Sequence, residues 1–129
     1  EAPLFEDFGD VMLSGNGGVG YIRVDWFTPN GLDSWGDGRL TILGTDGYIE
    51  VRKNIDIVSG KKGGNQLYLV NQKETVHMDC NNESLPFGPA FVNDVVNRTE
   101  TAMGQAHCFL ATELALIAQK QAKPLKLKK

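Results

Sequence analysis

Cysteine is scarce in this sequence, and long hydrophobic runs are missing. Its two cysteines, Cys80 and Cys108, lie far apart and form no CxxC pair, which excludes the dense disulfide framework of a small secreted domain. We therefore expect two free thiols and a cytoplasmic location. No apolar stretch reaches the roughly 20 residues that a transmembrane helix needs, and no signal-peptide pattern opens the chain. The sequence predicts no membrane partner.

Basic residues are also scarce outside the C-terminus. Five of the thirteen lysines and arginines fall in the last ten positions, which leaves eight bases against sixteen acids in the rest of the chain. A chain that is mostly acidic lacks the basic patch that binds a phosphate backbone, and this argues against a nucleic-acid partner. We interpret residues 122–129 as a short, solvated lysine-rich tail.

What remains has the composition of a folded domain. At 129 residues, with 41% hydrophobic and 22% charged residues, the chain has the length and balance of one globular domain. We assign residues 1–121 to this domain. The chain starts at Glu1 without an initiator methionine, in a segment with the look of a continuing polypeptide, and we expect it to be excised from a longer protein.

Six short segments rich in β-branched, aliphatic and aromatic residues predict β-strands. They are Asp10–Ser14, Tyr21–Thr28, Arg39–Leu43, Tyr48–Lys53, Gln66–Asn71 and Thr75–Asp79. Their connections are too short for crossover helices, and a type I′ turn at Asp46-Gly47 and turns at Gly17-Gly18 and Asn71–Glu74 can close hairpins. The sequence therefore predicts antiparallel pairing.

Alternation along the strands predicts a sheet with two different faces, an apolar one with Ile49 and an amphipathic one with Tyr21 and Tyr48. Apolar residues at helical spacing predict two helices after the strands, Pro89–Arg98 and Gln105–Gln121. The fold class predicted is α+β, an open-faced, predominantly antiparallel sheet of about six strands with C-terminal helices packed on one face. The amphipathic face then meets solvent or a second subunit.

The segment Gly15–Gly20 satisfies the GxGxxG pattern, but its surroundings do not fit a dinucleotide site. That fingerprint needs a helix N-terminus after the third glycine to hold the pyrophosphate. Here Tyr21–Phe27 has the composition of a strand. We interpret the segment as a hairpin turn and assign no cofactor-binding residue.

The residues able to bind a metal lack the spacing of a metal site. They are His77, Asp79, Cys80, His107 and Cys108. Structural zinc sites use close pairs of ligands, which are missing from this set. No HExxH, G-x-S-x-G or P-loop motif occurs either. We assign no metal ligand and no catalytic residue.

One segment has the chemistry of a ligand site, Trp35-Gly36-Asp37-Gly38-Arg39. An aromatic platform beside an acid and a guanidinium is the kind of surface that binds a polyhydroxylated ligand. Trp35, Asp37 and Arg39 are therefore the candidate substrate-binding residues. The alternative is a structural turn with a capping tryptophan.

Four segments of the sequence, in their order along the chain, resemble the C-terminal domain of Gfo/Idh/MocA-type oxidoreductases. They are Asp25–Pro29, Trp35–Arg39, Gly44–Val51 and Thr99–Thr112. The resemblance covers about Phe5 to Gln121. It implies a dihydrodipicolinate-reductase-like C-terminal domain that helps shape the substrate pocket and forms the subunit interface. It also implies an N-terminal Rossmann domain, missing from this chain, that binds NAD or NADP.

The resemblance further implies a parent enzyme that transfers hydride between NAD(P) and a sugar, inositol or related polyol. The family's Glu-Lys-Pro lysine, its nucleotide loop, and the acid and histidine that open its second domain have no counterparts in this sequence. We therefore expect this domain alone to be inactive, because the cofactor holds the hydride chemistry. The alternative hypothesis is a freestanding interaction module that dimerises through the amphipathic face and does no chemistry.

Overall fold

Two compact units make up the chain in a computed structural model, which describes residues 6–32, 34–56 and 64–124. The first unit extends to Glu83 and the second begins at Ser84. The described residues form six strands in the first unit and two helices in the second. Strands followed by helices confirm the predicted α+β class.

The elements are, in chain order, β1 (Phe8–Gly15), β2 (Gly18–Asp25), β3 (Gly38–Leu43), β4 (Gly47–Lys53), β5 (Asn65–Asn71), β6 (Thr75–Asp79), α1 (Phe87–Asn97) and α2 (Gln105–Gln121). The strands are antiparallel, as predicted, but they form two open sheets, the hairpin β1–β2 and a four-stranded sheet in the order β3-β4-β5-β6. The division falls between β2 and β3. The connection there contains Pro29 and runs over many residues, so it cannot act as the tight turn that would continue the first hairpin.

The glycine-rich segment forms the turn of the first hairpin. Asn16 and Gly17 have φ of 49° and 78°, the left-handed values that a two-residue hairpin loop requires, and Gly15 pairs with Gly18. The turn therefore lies one residue earlier than the predicted Gly17-Gly18. Strand β2 consequently begins at Gly18 and not at Tyr21. The GxGxxG segment is a hairpin, as the sequence predicts.

The turn between β3 and β4 differs from the predicted type I′ turn at Asp46-Gly47. The Gly44 N–H donates to the Gly47 carbonyl oxygen at 2.9 Å, so Thr45 and Asp46 form the tip, and neither has a positive φ. Glycine is required at position 47 for a different reason. A Cβ there would overlap the carbonyl oxygen of Val70 on β5.

Strand register gives the four-stranded sheet one apolar face, as predicted. Its eight members pair across the strands and are Leu40, Ile42, Ile49, Val51, Leu67, Leu69, Val76 and Met78. The opposite side is the amphipathic face, which carries Arg39, Tyr48, Glu50, Arg52, Gln66, Tyr68 and His77. Tyr21, predicted on the same face as Tyr48, lies instead on β2 of the separate hairpin, because the strands divide into two sheets. Among the described residues, Ile55 just after β4 is the only buried hydrophobic side chain.

The second unit is a helix pair joined by a structured turn. Helix α1 begins two residues before the predicted Pro89 and ends at Asn97, one residue before the predicted Arg98. Arg98 caps it with a φ of 57°, the left-handed conformation common at helix C-termini. Helix α2 has the predicted bounds. In the part of the chain that the structure describes, no helix combines the length and apolarity needed to cross a bilayer. The packing of these helices on a sheet face stays a prediction.

A buried carboxylate, that of Asp94, fixes the connection between the helices. Its Oδ1 accepts from the Thr99 hydroxyl at 2.6 Å, from the Thr101 hydroxyl at 2.7 Å and from the Thr101 N–H at 2.9 Å. Its Oδ2 accepts from the Ala102 N–H at 2.7 Å. These hydrogen bonds, led by that of Thr99, hold the pKa of Asp94 well below its ordinary value.

Candidate functional site

The candidate segment Trp35–Arg39 leads into β3, and its tryptophan contacts a second tryptophan. Trp26 follows the last residue of β2, and the Trp26 and Trp35 ring centroids lie 5.8 Å apart with an interplanar angle of 87°. This edge-to-face arrangement is a favourable geometry for two aromatic rings. Both rings are nevertheless exposed, Trp35 by 85% and Trp26 by 63%. We refer to Trp26 and Trp35 as the indole pair.

Asp37 and Arg39, the other two candidate residues, form an ion pair. Arg39 Nη2 lies 2.6 Å from Asp37 Oδ2, and Arg39 Nε donates to the two carboxylate oxygens at 3.1 and 2.9 Å. Hydrogen bonding to Asp37, more than charge, raises the pKa of Arg39. The side chains are 57% and 28% exposed, so the pair adds little to stability. Its effect is to orient the guanidinium, whose Nη1 donors lie outside the pair.

Local hydrogen bonds fix the backbone on both sides of the indole pair. The Asp25 carboxylate accepts from the Phe27 N–H at 3.0 Å, which ends β2 in a turn around Trp26. The Ser34 hydroxyl donates to the Gly36 carbonyl at 2.9 Å and accepts from the Gly36 N–H at 3.4 Å, which encloses Trp35 in a second turn. Both indoles therefore project from constrained backbone.

An open cleft of 220 Å³ lies beside the ion pair, where β3 meets β4. It is lined by Gly38, Arg39, Leu40, Val51 and Lys53. Pockets for drug-sized ligands are usually larger, at about 300–1,000 Å³. Arg39 belongs to both the cleft and the candidate site.

A continuous row of contacts crosses the amphipathic face from β4 to β6. Arg52 Nε lies 2.6 Å from Glu50 Oε1, and the Arg52 guanidinium carbon lies 5.6 Å from the centroid of the Tyr68 ring. Tyr68 stacks on His77 at 4.8 Å and 12°, and His77 Nε2 lies 2.5 Å from Gln66 Oε1. Glu50 raises the pKa of Arg52, mainly through its hydrogen bond and to a smaller extent through its negative charge. The face is therefore an ordered polar and aromatic surface.

Comparison with known proteins finds similarity to a solved structure of the oxidoreductase class. A "putative oxidoreductase" from Erwinia carotovora atroseptica SCRI1043 shares 51% identity over 96% of this chain, with a TM-score of 0.86. This chain spans only 37% of that protein's length. No family model and no curated protein matches the sequence. Fold and similarity together define an oxidoreductase-related α+β domain.

The structure brings some of the sequence candidates together and adds one that the sequence analysis missed. Asp37 contacts Arg39, while Trp35 contacts Trp26, which is outside the three candidate residues. The role of the three candidate residues in substrate binding stays a prediction. In the described residues no three His, Cys, Asp or Glu side chains gather as a metal site, and Cys80 and Cys108 are free thiols.

Proposed function

We propose that this chain is the substrate-binding and oligomerisation domain of a cytoplasmic oxidoreductase of Gfo/Idh/MocA type. A separate N-terminal Rossmann domain binds NAD or NADP in that enzyme. The observation that carries this proposal is the 51% identity with the Erwinia oxidoreductase over 96% of this chain. Because the match covers 37% of that protein, a relative of similar length has room for a nucleotide-binding domain.

The parent enzyme transfers hydride between NAD(P) and a sugar, inositol or related polyol. The nicotinamide supplies the hydride chemistry, and this domain orients the substrate and excludes water from it. Trp35 packs against the C–H groups of the polyol, while Asp37 and Arg39 form charge-assisted hydrogen bonds with its hydroxyls. Neither a catalytic nor a cofactor-binding residue is assigned to this chain, and alone it is inactive.

The amphipathic face is the proposed surface of self-association. Arginine and aromatic side chains are enriched in protein interfaces, and this face presents Arg52 beside Tyr68 and His77. In a two-fold symmetric pair each copy offers the same patch to the other. The Glu50–Arg52 pair gives such a patch both signs of charge, so two copies can complement each other.

Titration with reduced nicotinamide nucleotide tests whether the nucleotide binds to the N-terminal domain and not to this one. The fluorescence of NADH or NADPH changes saturably with the longer polypeptide that carries this domain, and it does not change with the 129-residue chain. Micromolar binding by the chain itself contradicts the proposal. A gene that encodes no strand–GxGxxG–helix unit before this domain supports the freestanding interaction module instead.

A further inference from the structure

We infer that the amphipathic face binds a second copy of this chain most tightly while His77 is neutral, so that self-association weakens as the pH falls. The inference rests on the proposed function, because it names the regulation of the self-association surface. It makes His77 the residue that couples the pH to the association of the copies.

His77 is the imidazole of the amphipathic face. It is an exposed residue of β6 and lies opposite Tyr68 of β5, with the two ring centroids 4.8 Å apart and an interplanar angle of 12°. The chain has one further histidine, His107, which lies on α2 in the second unit. Histidine is the residue whose side chain ordinarily changes its charge between about pH 5 and 8. The face therefore contains one group that suits a pH switch near neutrality.

A hydrogen bond determines which nitrogen of His77 takes up the proton. His77 Nε2 lies 2.5 Å from Oε1 of Gln66, a side chain that is only 5% exposed. An amide oxygen accepts hydrogen bonds and donates none, so Nε2 donates here and carries the proton of the neutral ring. The second proton goes to Nδ1, which then donates a hydrogen bond where it accepted one before. Protonation therefore changes both the charge of the ring and the hydrogen bonding of Nδ1.

The carboxylates on the same face as His77 are already bound to other groups. Asp79, two residues further along β6, accepts from the N–H of Asn81 at 3.0 Å and from its side-chain amide at 2.6 Å. Glu50 on β4 is paired with Arg52 at 2.6 Å. Within the described ranges, no carboxylate forms an ion pair with His77. A proton on His77 therefore adds a positive charge that no facing acid neutralises.

Two arginines already give this face positive charge. Arg39 lies opposite Arg52 in the β3–β4 register, and the Arg52 guanidinium carbon lies 5.6 Å from the centroid of the Tyr68 ring. His77 stacks on the same ring, so a protonated His77 places a second positive group beside Tyr68. In a two-fold symmetric pair each copy presents the same patch to the other. The added charges therefore repel each other across the interface.

Burial in an interface acts in the same direction. A charged imidazole loses its hydration when a second copy covers it, and this loss disfavours the charged form. The separate chain therefore takes up the proton more readily than the dimer does. By linkage, the dissociation constant of the dimer rises as the pH falls.

Sedimentation equilibrium at about pH 7.5 and about pH 5.5 tests the inference. We expect the dimer dissociation constant of the unaltered chain to be at least about tenfold higher at the lower pH. His77→Gln stays neutral, so its constant should be the same at both pH values. His77→Arg carries a permanent positive charge, and it should associate weakly at both. The matched control is His107→Gln, which removes the other histidine and should keep the full pH dependence.

The backbone amide spectrum of each variant at both pH values shows whether it is folded. If His77→Gln does not fold, His77→Phe replaces it, because phenylalanine keeps an uncharged ring over Tyr68. The inference is overturned if the dissociation constant of the unaltered chain does not change with pH. It is also overturned if the neutral His77 variant keeps the pH dependence, or if His107→Gln loses it.

Failure of the proposed function gives a different result. A chain that is monomeric at both pH values overturns the proposed self-association, and this inference with it. A dimer whose dissociation constant is independent of pH overturns the inference alone. The proposal of a nucleotide-binding domain outside this chain is tested separately, by the nicotinamide nucleotide titration, and its result does not depend on His77.

Discussion

Asp94 is the residue whose contacts most directly fix a local conformation. Its carboxylate accepts hydrogen bonds from two threonine hydroxyls and two backbone N–H groups in the eight residues that follow it. Because these bonds favour the charged form, the folded-state pKa lies below the unfolded one. The charge of Asp94 therefore stabilises the fold above the ordinary aspartate pKa of about 3.9, and this stabilisation is lost as the pH falls below it.

Replacing Asp94 with asparagine tests this linkage. The amide N–H₂ group would face the N–H of Ala102 or the donors of Thr101, so at least one hydrogen bond is lost. We expect the melting temperature at neutral pH to fall by on the order of 5 °C. The difference from the unaltered chain should shrink below about pH 4. Calorimetry between acid and neutral pH measures both effects.

Asp46→Asn is the control for this substitution, because Asp46 is exposed at the tip of the β3–β4 hairpin. Its melting temperature should follow that of the unaltered chain at every pH. An Asp94→Asn variant that also does so would show that the hydrogen bonds of Asp94 do not stabilise the helix connection.

Trp35 is the residue that matters most for the proposed substrate site. In the complete enzyme, Trp35→Ala should raise KM for the polyol about tenfold, which corresponds to about 1.4 kcal/mol of lost contact. The turnover number should change less, because the proposed role of the indole is to bind the substrate and not to take part in the hydride transfer. Steady-state kinetics measure both constants. Unchanged kinetics would remove this segment from the site.

The sequence alone identified three residues of the candidate site, but it did not predict the contact of one of them with Trp26. Trp35, Asp37 and Arg39 stand within five positions, so their shared chemistry is visible in one short segment. Trp26 lies nine residues before Trp35, across a connection with no regular period. Contact between such residues depends on the path of the loop, which local patterns do not determine.

At the scale of elements, hairpin geometry explains where the predicted strands are right and where they shift. Alternating apolar residues predicted every strand of the four-stranded sheet to within about two residues. Strand β2 begins earlier than predicted because Asn16 and Gly17 form the turn, so that Gly18 and Gly20 belong to the strand. Alternation alone does not predict the division into two sheets, because antiparallel strands carry the same alternation in one sheet or two. The sequence signal for the division is the long connection with Pro29 between β2 and β3.

The pairing of β4 with β5 depends on the lack of a side chain at Gly47. In Gly47→Ala the new Cβ would overlap the Val70 carbonyl oxygen, so β4 and β5 must separate at this end. We expect the free energy of unfolding to fall by at least about 2 kcal/mol, measured by denaturant titration. Gly44→Ala in the same hairpin is the control, since its Cβ would lie an ordinary 3.5 Å from the Gly47 oxygen. Equal losses in the two variants would refute the steric explanation.

At the scale of the whole molecule, the amphipathic face is the proposed contact between copies. Arg52→Glu breaks its ion pair with Glu50 and removes the cation over Tyr68. In the proposed face-to-face pair it also brings like charges together, so the dimer dissociation constant should rise at least about tenfold. Sedimentation equilibrium measures this constant.

Lys73→Glu is the control for this charge reversal. Lys73 lies in the turn between β5 and β6, where its backbone N–H, and not its ammonium, makes the local hydrogen bond to Asn71. The same change in net charge should leave the dissociation constant within about threefold of the original. A strictly monomeric unaltered chain, or an Arg52→Glu variant that associates normally, would contradict the assignment of this face.

The proposed function makes this chain one part of a longer enzyme, and the chain spans 37% of the length of its oxidoreductase neighbour. The most direct test is nucleotide reduction by the longer polypeptide in the presence of NAD or NADP and a series of sugars and inositols. The account predicts saturable formation of reduced nucleotide with at least one of these substrates, and none from the 129-residue chain alone. A longer polypeptide that reduces no nucleotide with any of them, or a chain that does so unaided, would contradict it.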